Sequence, residues 1–203
     1  AAANPGYREV LGKKAIANPT QYLKDILHSC KNVDQVKAFI SQYNHSFFIE
    51  DVMIFIEKSG RYLVVEPYLM TIGADADYVL SNFCPSATSK IEAMQLERYR
   101  KGVEFINDRS EASLEFCTKM SEQMHVCRDK IGDGTLLTSI WNSRDGIVNL
   151  YFYHQYGHTV SYNLQQEWRK GDHIIALEPL FPANPEFEKL RDFRTPYNND
   201  WLK

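Results

Sequence analysis

The sequence predicts an α+β fold: a four-layer αββα sandwich of antiparallel sheets in a single domain. Three observations carry that expectation. Hydrophobic periodicity runs in the order helices, strands, helices, strands along the chain. The strand-like runs are joined by tight-turn signals such as Ser59-Gly60 and Asp145-Gly146, which make antiparallel pairs. Finally, 203 residues with 44% hydrophobic content suffice for one substantial core. The economical way to bury the apolar faces of two sheets is sheet on sheet, with helices outside.

Residues 1–17 show no sustained period and read as an irregular connecting segment. Asn18-Pro19 is an N-cap followed by Pro at the first helical position, with Tyr22, Leu23, Ile26 and Leu27 on one face, so a helix is expected over residues 19–29. Asn32 with Gln35 resembles a capping box ahead of Val36, Phe39 and Ile40, a second short helix. Residues 52–58 and 61–66 are β-rich runs around Ser59-Gly60, and residues 68–73 and 77–83 extend that sheet. Ser89-Lys90-Ile91-Glu92 is a capping box opening a helix to about residue 107. Ser110 is a candidate cap for the next helix, to about residue 126, with a stripe of Leu114, Cys117, Met120 and Met124. Residues 135–142, 147–154 and 159–164 form a meander, with turns at residues 143–146 and near Gly157. Residues 165–172 are polar, 174–177 read as a last short strand, and 185–193 as a terminal helix.

A formal net charge of −3 provides no general field for nucleic acid. No run approaches the roughly 20 apolar residues of a membrane span. Residues 1–3 carry neither a basic n-region nor an apolar h-region, so no signal peptide is expected within this sequence, and the compartment stays open. Cys30, Cys84, Cys117 and Cys127 lack C-x-x-C spacing and read as buried free thiols rather than a zinc ribbon. His154 and His158 have H-x-x-x-H spacing but flank a hairpin glycine without an acidic partner, so neither a metal nor a cofactor is expected.

Two places carry candidate chemistry. The run Asp77-Tyr78-Val79-Leu80-Ser81-Asn82-Phe83-Cys84-Pro85 ends an apolar strand at Asn82 before a proline. An amide N–H there is a donor suited to a developing oxyanion. Cys84, two residues on, is a candidate internal nucleophile, although no cationic neighbour is visible to activate it. In Glu97-Arg98-Tyr99-Arg100 the two arginines lie roughly 200° apart on the helix, so only one of them can face inward to hold a carboxylate or a catalytic group, the alternative being a solvated basic face.

The same stretches resemble the choloylglycine hydrolase family, which includes bile-salt hydrolases, penicillin V acylases and related acyltransferases. Lys58-Ser59-Gly60 with Val64-Val65-Glu66 is similar to the family's D-x-x-G-x-x-x-v-v-E hairpin, and Leu80-Ser81-Asn82-Phe83 to its (T/S)-N strand end. Glu97-Arg98-Tyr99-Arg100 is similar to its S-R-F-x-R helix start, and residues 135–164 to its C-terminal meander. The resemblance implies an N-terminal-nucleophile hydrolase fold and cleavage or acyl transfer at a linear amide C–N bond of an N-acyl substrate. It makes Asn82 an oxyanion-hole donor and Arg98 the arginine supporting the nucleophile. That nucleophile is an N-terminal Cys followed by Arg and Asp, a pattern that Ala1, Arg8 and Glu9 do not supply. The chain is therefore expected to match the family's second half, with its partner a Cys-bearing segment or chain, and to be inactive alone. The alternative is a non-catalytic member of the fold that binds a small molecule. Half a sandwich would expose apolar sheet, so a companion is expected, a second copy of the chain being one the sequence allows.

Overall fold

Contacts divide the chain between Gln95 and Leu96 into two units, each with its own three-stranded antiparallel sheet. The architecture is a mixed α+β one. It is known from a computed structural model that describes residues 13–45, 48, 51–108, 111–128 and 133–198.

In the first unit, β1 (Lys14–Ala15) pairs in parallel with β2 (Tyr43–Asn44), so part of the expected irregular segment is strand, while residues 1–12 lie outside those described. Helix α1 (Pro19–Ser29) starts where expected because the Asn18 side chain accepts from the backbone N–H of Gln21 and Pro19 needs no donor there. Helix α2 (Val33–Ile40) is capped in the same way by Asn32 on Gln35. Their inward faces meet the sheet of β3 (Met53–Ile56), β4 (Tyr62–Val65) and β5 (Met70–Gly73). Tyr22, Ile26, Val33, Val36 and Ile40 pack with Leu63 and Val65 of the central strand. Fully buried Ile26, Val33, Leu63 and Val65 each stabilise the unit by about 1.5–3 kcal/mol through apolar area removed from water. Leu27, expected on the inward face, is 72% exposed, because the apolar stripe closes over the sheet at Tyr22 and Ile26. Gly60, at φ +91°, makes the β3–β4 turn.

Residues 77–83, expected as a strand, form none: the segment runs on from β5 through bends. Its backbone makes local turns, Phe83 to Ser81 and Ala87 to Cys84, while the Tyr78 ring packs on Tyr62 at 4.6 Å. Tyr78 thus meets the sheet through its ring, and no residue of the segment pairs along the sheet edge. Helix α3 (Lys90–Gln95) begins at the expected capping box, with Ser89 N–H and Oγ–H donating to Glu92 and Glu92 N–H donating back to Ser89 Oγ.

The second unit opens with α4 (Glu97–Asn107). Leu96, with an extended backbone, separates it from α3, so the single long helix expected over residues 89–107 is two. Helix α5 (Leu114–Met124) is capped by Ser113; the expected cap Ser110 lies outside the described residues. After the short pair β6 (Cys127–Arg128) and β7 (Asp133–Gly134) comes the expected meander, β8 (Leu137–Asn142), β9 (Ile147–Phe152) and β10 (Val160–Asn163), with Gly146 left-handed in the first turn. Alternation splits its side chains into two faces. Thr138, Ile140, Asn149 and Tyr151 share one, where Thr118 of α5 meets the Tyr151 hydroxyl at 2.9 Å. Trp141, Val148, Leu150, Phe152 and Tyr162 share the other.

Helix α6 (Leu164–Trp168), within a stretch read only as polar, is started by Asn163, whose side chain accepts from the N–H groups of Gln165 and Gln166. Residues 174–177 are irregular rather than a strand. Ile174 is fully exposed and the segment pairs with neither edge of the sheet. After a 3₁₀ turn (Glu178–Leu180), the terminal helix α7 (Pro185–Asn198) sets Phe187 and Leu190 with Phe181 on Phe152 and Tyr153.

Candidate functional site

Glu66 directly follows β4 and is only 5% exposed, yet carries a carboxylate. Its Oε1 accepts from both the backbone N–H (2.9 Å) and the hydroxyl (2.8 Å) of Ser86. A buried acid demands such partners, so the bond ties the segment that carries Asn82 and Cys84 to the sheet end. Two of the stretches singled out in the sequence, Val64-Val65-Glu66 and the run around Asn82, thus meet in the first unit. Asn82 itself is exposed within a bend, not buried at a strand tip as expected, because no strand forms beneath it. Cys84 is a half-buried thiol outside any disulfide, as are Cys30 and Cys117. On the same side of the sheet Tyr62 donates to Asp75, and burial foremost, then that bond, pushes its phenol well above the ordinary range. Deeper in the unit, His45 shares a 2.6 Å hydrogen bond with the buried Tyr22 hydroxyl. Burial holds the imidazole below its usual pKa and the phenol far above its own.

In the second unit Arg98 is exposed, and its Nε–H donates to the carbonyl of Met124 at 2.9 Å, at the C-terminal end of α5. A cation is favoured there because the unsatisfied carbonyls make that end negative. Arg100 is also exposed and pairs with Glu104, so neither arginine faces a core. The same helix end gathers two further groups. His125 Nδ1–H donates to Glu122 O, and the Tyr156 hydroxyl donates to Ser121 O at 3.2 Å while sharing a 3.0 Å bond with Thr138. The His125 ring lies 4.7 Å from that of His154 and 5.7 Å from Tyr156. Burial is the main cause that raises the Tyr156 pKa, with Thr138 and the Arg98 charge opposing it. The third and fourth stretches of the sequence, around Arg98 and the Tyr151–His158 hairpin, are in this way drawn to one helix end.

That hairpin turns in a way the sequence does not announce. Tyr153 and His154, at φ +40° and +66°, take left-handed backbone, while Gly157 does not. Non-glycine residues pay for this conformation, and the neighbours enforce it. Asn184, 6% exposed, donates from Nδ2 to Tyr153 O at 2.9 Å while its Oδ1 accepts from the first N–H groups of α7. Gly134 lies so close to Val126 O and the His154 ring that a Cβ would fall 2.2 Å and 2.8 Å from them.

The second face of the meander holds a trough of about 320 Å³. Trp141, Val148, Leu150 and Tyr162 line it from the sheet, and Leu164, Ile175 and Leu177 from the chain beyond β10; its polar members are Glu167 and His173. Nothing in the sequence beyond the alternation of β8–β10 signals this trough, because α6 was not expected and residues 174–177, expected as a strand, are the irregular stretch that completes it.

Among the described residues no group of three or more His, Cys, Asp or Glu side chains could hold a metal ion, and no helix is long and apolar enough to cross a membrane. No protein-family model matches the chain, and comparison with curated proteins and with solved structures finds no significant match.

Proposed function

We propose that this chain supplies an oxyanion-stabilising amide, Asn82, and a supporting guanidinium, Arg98, to a linear-amide C–N hydrolase or acyltransferase of the choloylglycine hydrolase type. The substrate is an N-acyl compound, and the nucleophile is an N-terminal Cys on a segment or chain outside these 203 residues. The observation that carries the proposal is the Glu66–Ser86 bond. It joins the ends of two stretches that each carry the resemblance and stand 20 residues apart, and it anchors the chain on which Asn82 stands exposed. An oxyanion donor must be both held and reachable, and an exposed amide four residues from Ser86, which is tied to the buried Glu66 carboxylate, meets both needs. The expectation of an αββα sandwich draws support only from the layering within each unit. Each sheet has helices on one face and exposed apolar side chains elsewhere, Ile54 and Ile56 in one and Leu137 and Trp141 in the other.

The test is co-expression with a Cys-bearing segment, followed by assay on N-acyl amino acids, bile-salt conjugates and penicillin V. Turnover is expected only with that segment present. Asn82→Ala should then lower the rate by about 10²–10³-fold, the usual cost of one oxyanion donor. Absence of hydrolysis and of acyl transfer across the panel, with both pieces folded, overturns the proposal.

A further inference from the structure

We propose that the outer edge of β8 pairs with the same edge of a second copy of this chain, antiparallel about a two-fold axis at Ser139, independently of the amide chemistry above. β8 is an edge of its sheet, and among the described residues nothing pairs with its outer side. At six residues it is longer than the edges β3, β5 and β10, which have four each. Edge strands are normally blunted by a charge, a proline, a bulge or shortness, and Leu137-Thr138-Ser139-Ile140-Trp141-Asn142, in unbroken register with β9, has none of these. The backbone fixes which groups are offered. Tyr153 N–H donates to Leu136 O and Gly146 N–H to Asn142 O, so by alternation Leu137, Ser139 and Trp141 turn their N–H and C=O groups away from β9. The side chains then select the partner. Pairing two identical strands about Ser139 sets Leu137 of each copy opposite Trp141 of the other on one face, and Thr138 opposite Ile140 on the other. Leu137 and Trp141, 38% and 62% exposed, are the apolar surface that this pairing covers. A register one step away in either direction leaves each of them opposite Ser139, Ser143 or Thr135 instead. The edge is thus complementary to itself, as a two-fold interface requires, and the contact closes at two copies. A strand of this length spans about 20 Å and covers less than the roughly 800 Å² per partner of a standard interface, so the dimer is weak, with Kd on the order of 10–100 µM.

The experiment is sedimentation velocity of the chain from about 1 µM to about 1 mM, with amide hydrogen exchange measured at both ends of that range. A monomer–dimer equilibrium is expected. The Leu137, Ser139 and Trp141 N–H groups should be protected only at the high concentration, and those of Thr138 and Ile140 at both. Leu137→Glu and Trp141→Lys should each weaken association about tenfold or more, because each leaves a charge unpaired against an apolar side chain. An equal mixture of the two should regain it, since the two-fold sets the new acid of one variant against the new base of the other. The exchange measurement needs no variant and keeps the test decisive should either fail to fold. A monomer throughout the range, association without protection of the three outward amides, a species larger than a dimer, or a mixture of two folded variants that regains nothing overturns the proposal.

Discussion

The β3–β4–β5 and β8–β9–β10 sheets share a topology, three antiparallel strands in sequence order, yet their second faces have different fates. In the first unit the chain leaving β5 folds back over the sheet. The Tyr78 ring lies tilted on Tyr62, Asp75 accepts from the Tyr62 hydroxyl and Ser86 clamps Glu66, so Tyr62 and Val64 of the central strand are buried on this face while Ile54 and Ile56 of β3 stay exposed. In the second unit the chain leaving β10 enters α6 and returns irregularly. Phe181 and Phe187 cover only the Phe152 end, leaving Trp141 open beside the trough. The path of the chain beyond the third strand thus decides whether a sheet face becomes core or stays an open apolar surface.

The sharpest way to break this contrast is within the first core. Leu63 is fully buried between α1, α2 and the edge strands, and Leu63→Ala should cost about 2–5 kcal/mol, read as a lowered denaturant midpoint. Next comes the cover. A Cβ on Gly73 would sit 2.2 Å from the Tyr62 ring, so Gly73→Ala must push the phenol off its cross-strand seat and away from Asp75. Overpacking of this kind costs about 1–3 kcal/mol, and loss of melting temperature with an altered tyrosine signal is the expected result. In the second unit, Asn184→Ala removes both the cap of α7 and the donor to Tyr153 O; about 1–2 kcal/mol is expected. Faster amide exchange should be confined to the 153–157 turn and the start of α7.

The smallest effect depends on pH. Burial depresses the His45 pKa below its unfolded value near 6.5, so the folded state binds fewer protons than the unfolded. The stability of the first unit should be complete above about pH 6.5 and decline as pH falls from there through the lower folded value. His45→Gln should flatten that decline; an unchanged pH profile in the variant would remove His45 as its cause.

Local chemistry was legible from the residues alone. The caps Asn18, Asn32 and Ser89, and the glycine turns at Gly60 and Gly146, lie where expected, because their hydrogen bonds close within three or four residues and need no distant partner. The alternation of β8–β10 was legible for the same reason. Tertiary structure alone decided the rest. Residues 77–83 and 174–177 have apolar content suited to strands, but no strand edge takes them, and they run irregularly, with Tyr78 on Tyr62 and Ile174 fully exposed. Tyr153 and His154 are left-handed because Asn184, some thirty residues later, holds the Tyr153 carbonyl, and Glu66 anchors the Asn82 segment through Ser86. Such contacts join residues far apart in sequence, and a buried polar group takes whatever partner the packed chain brings to it.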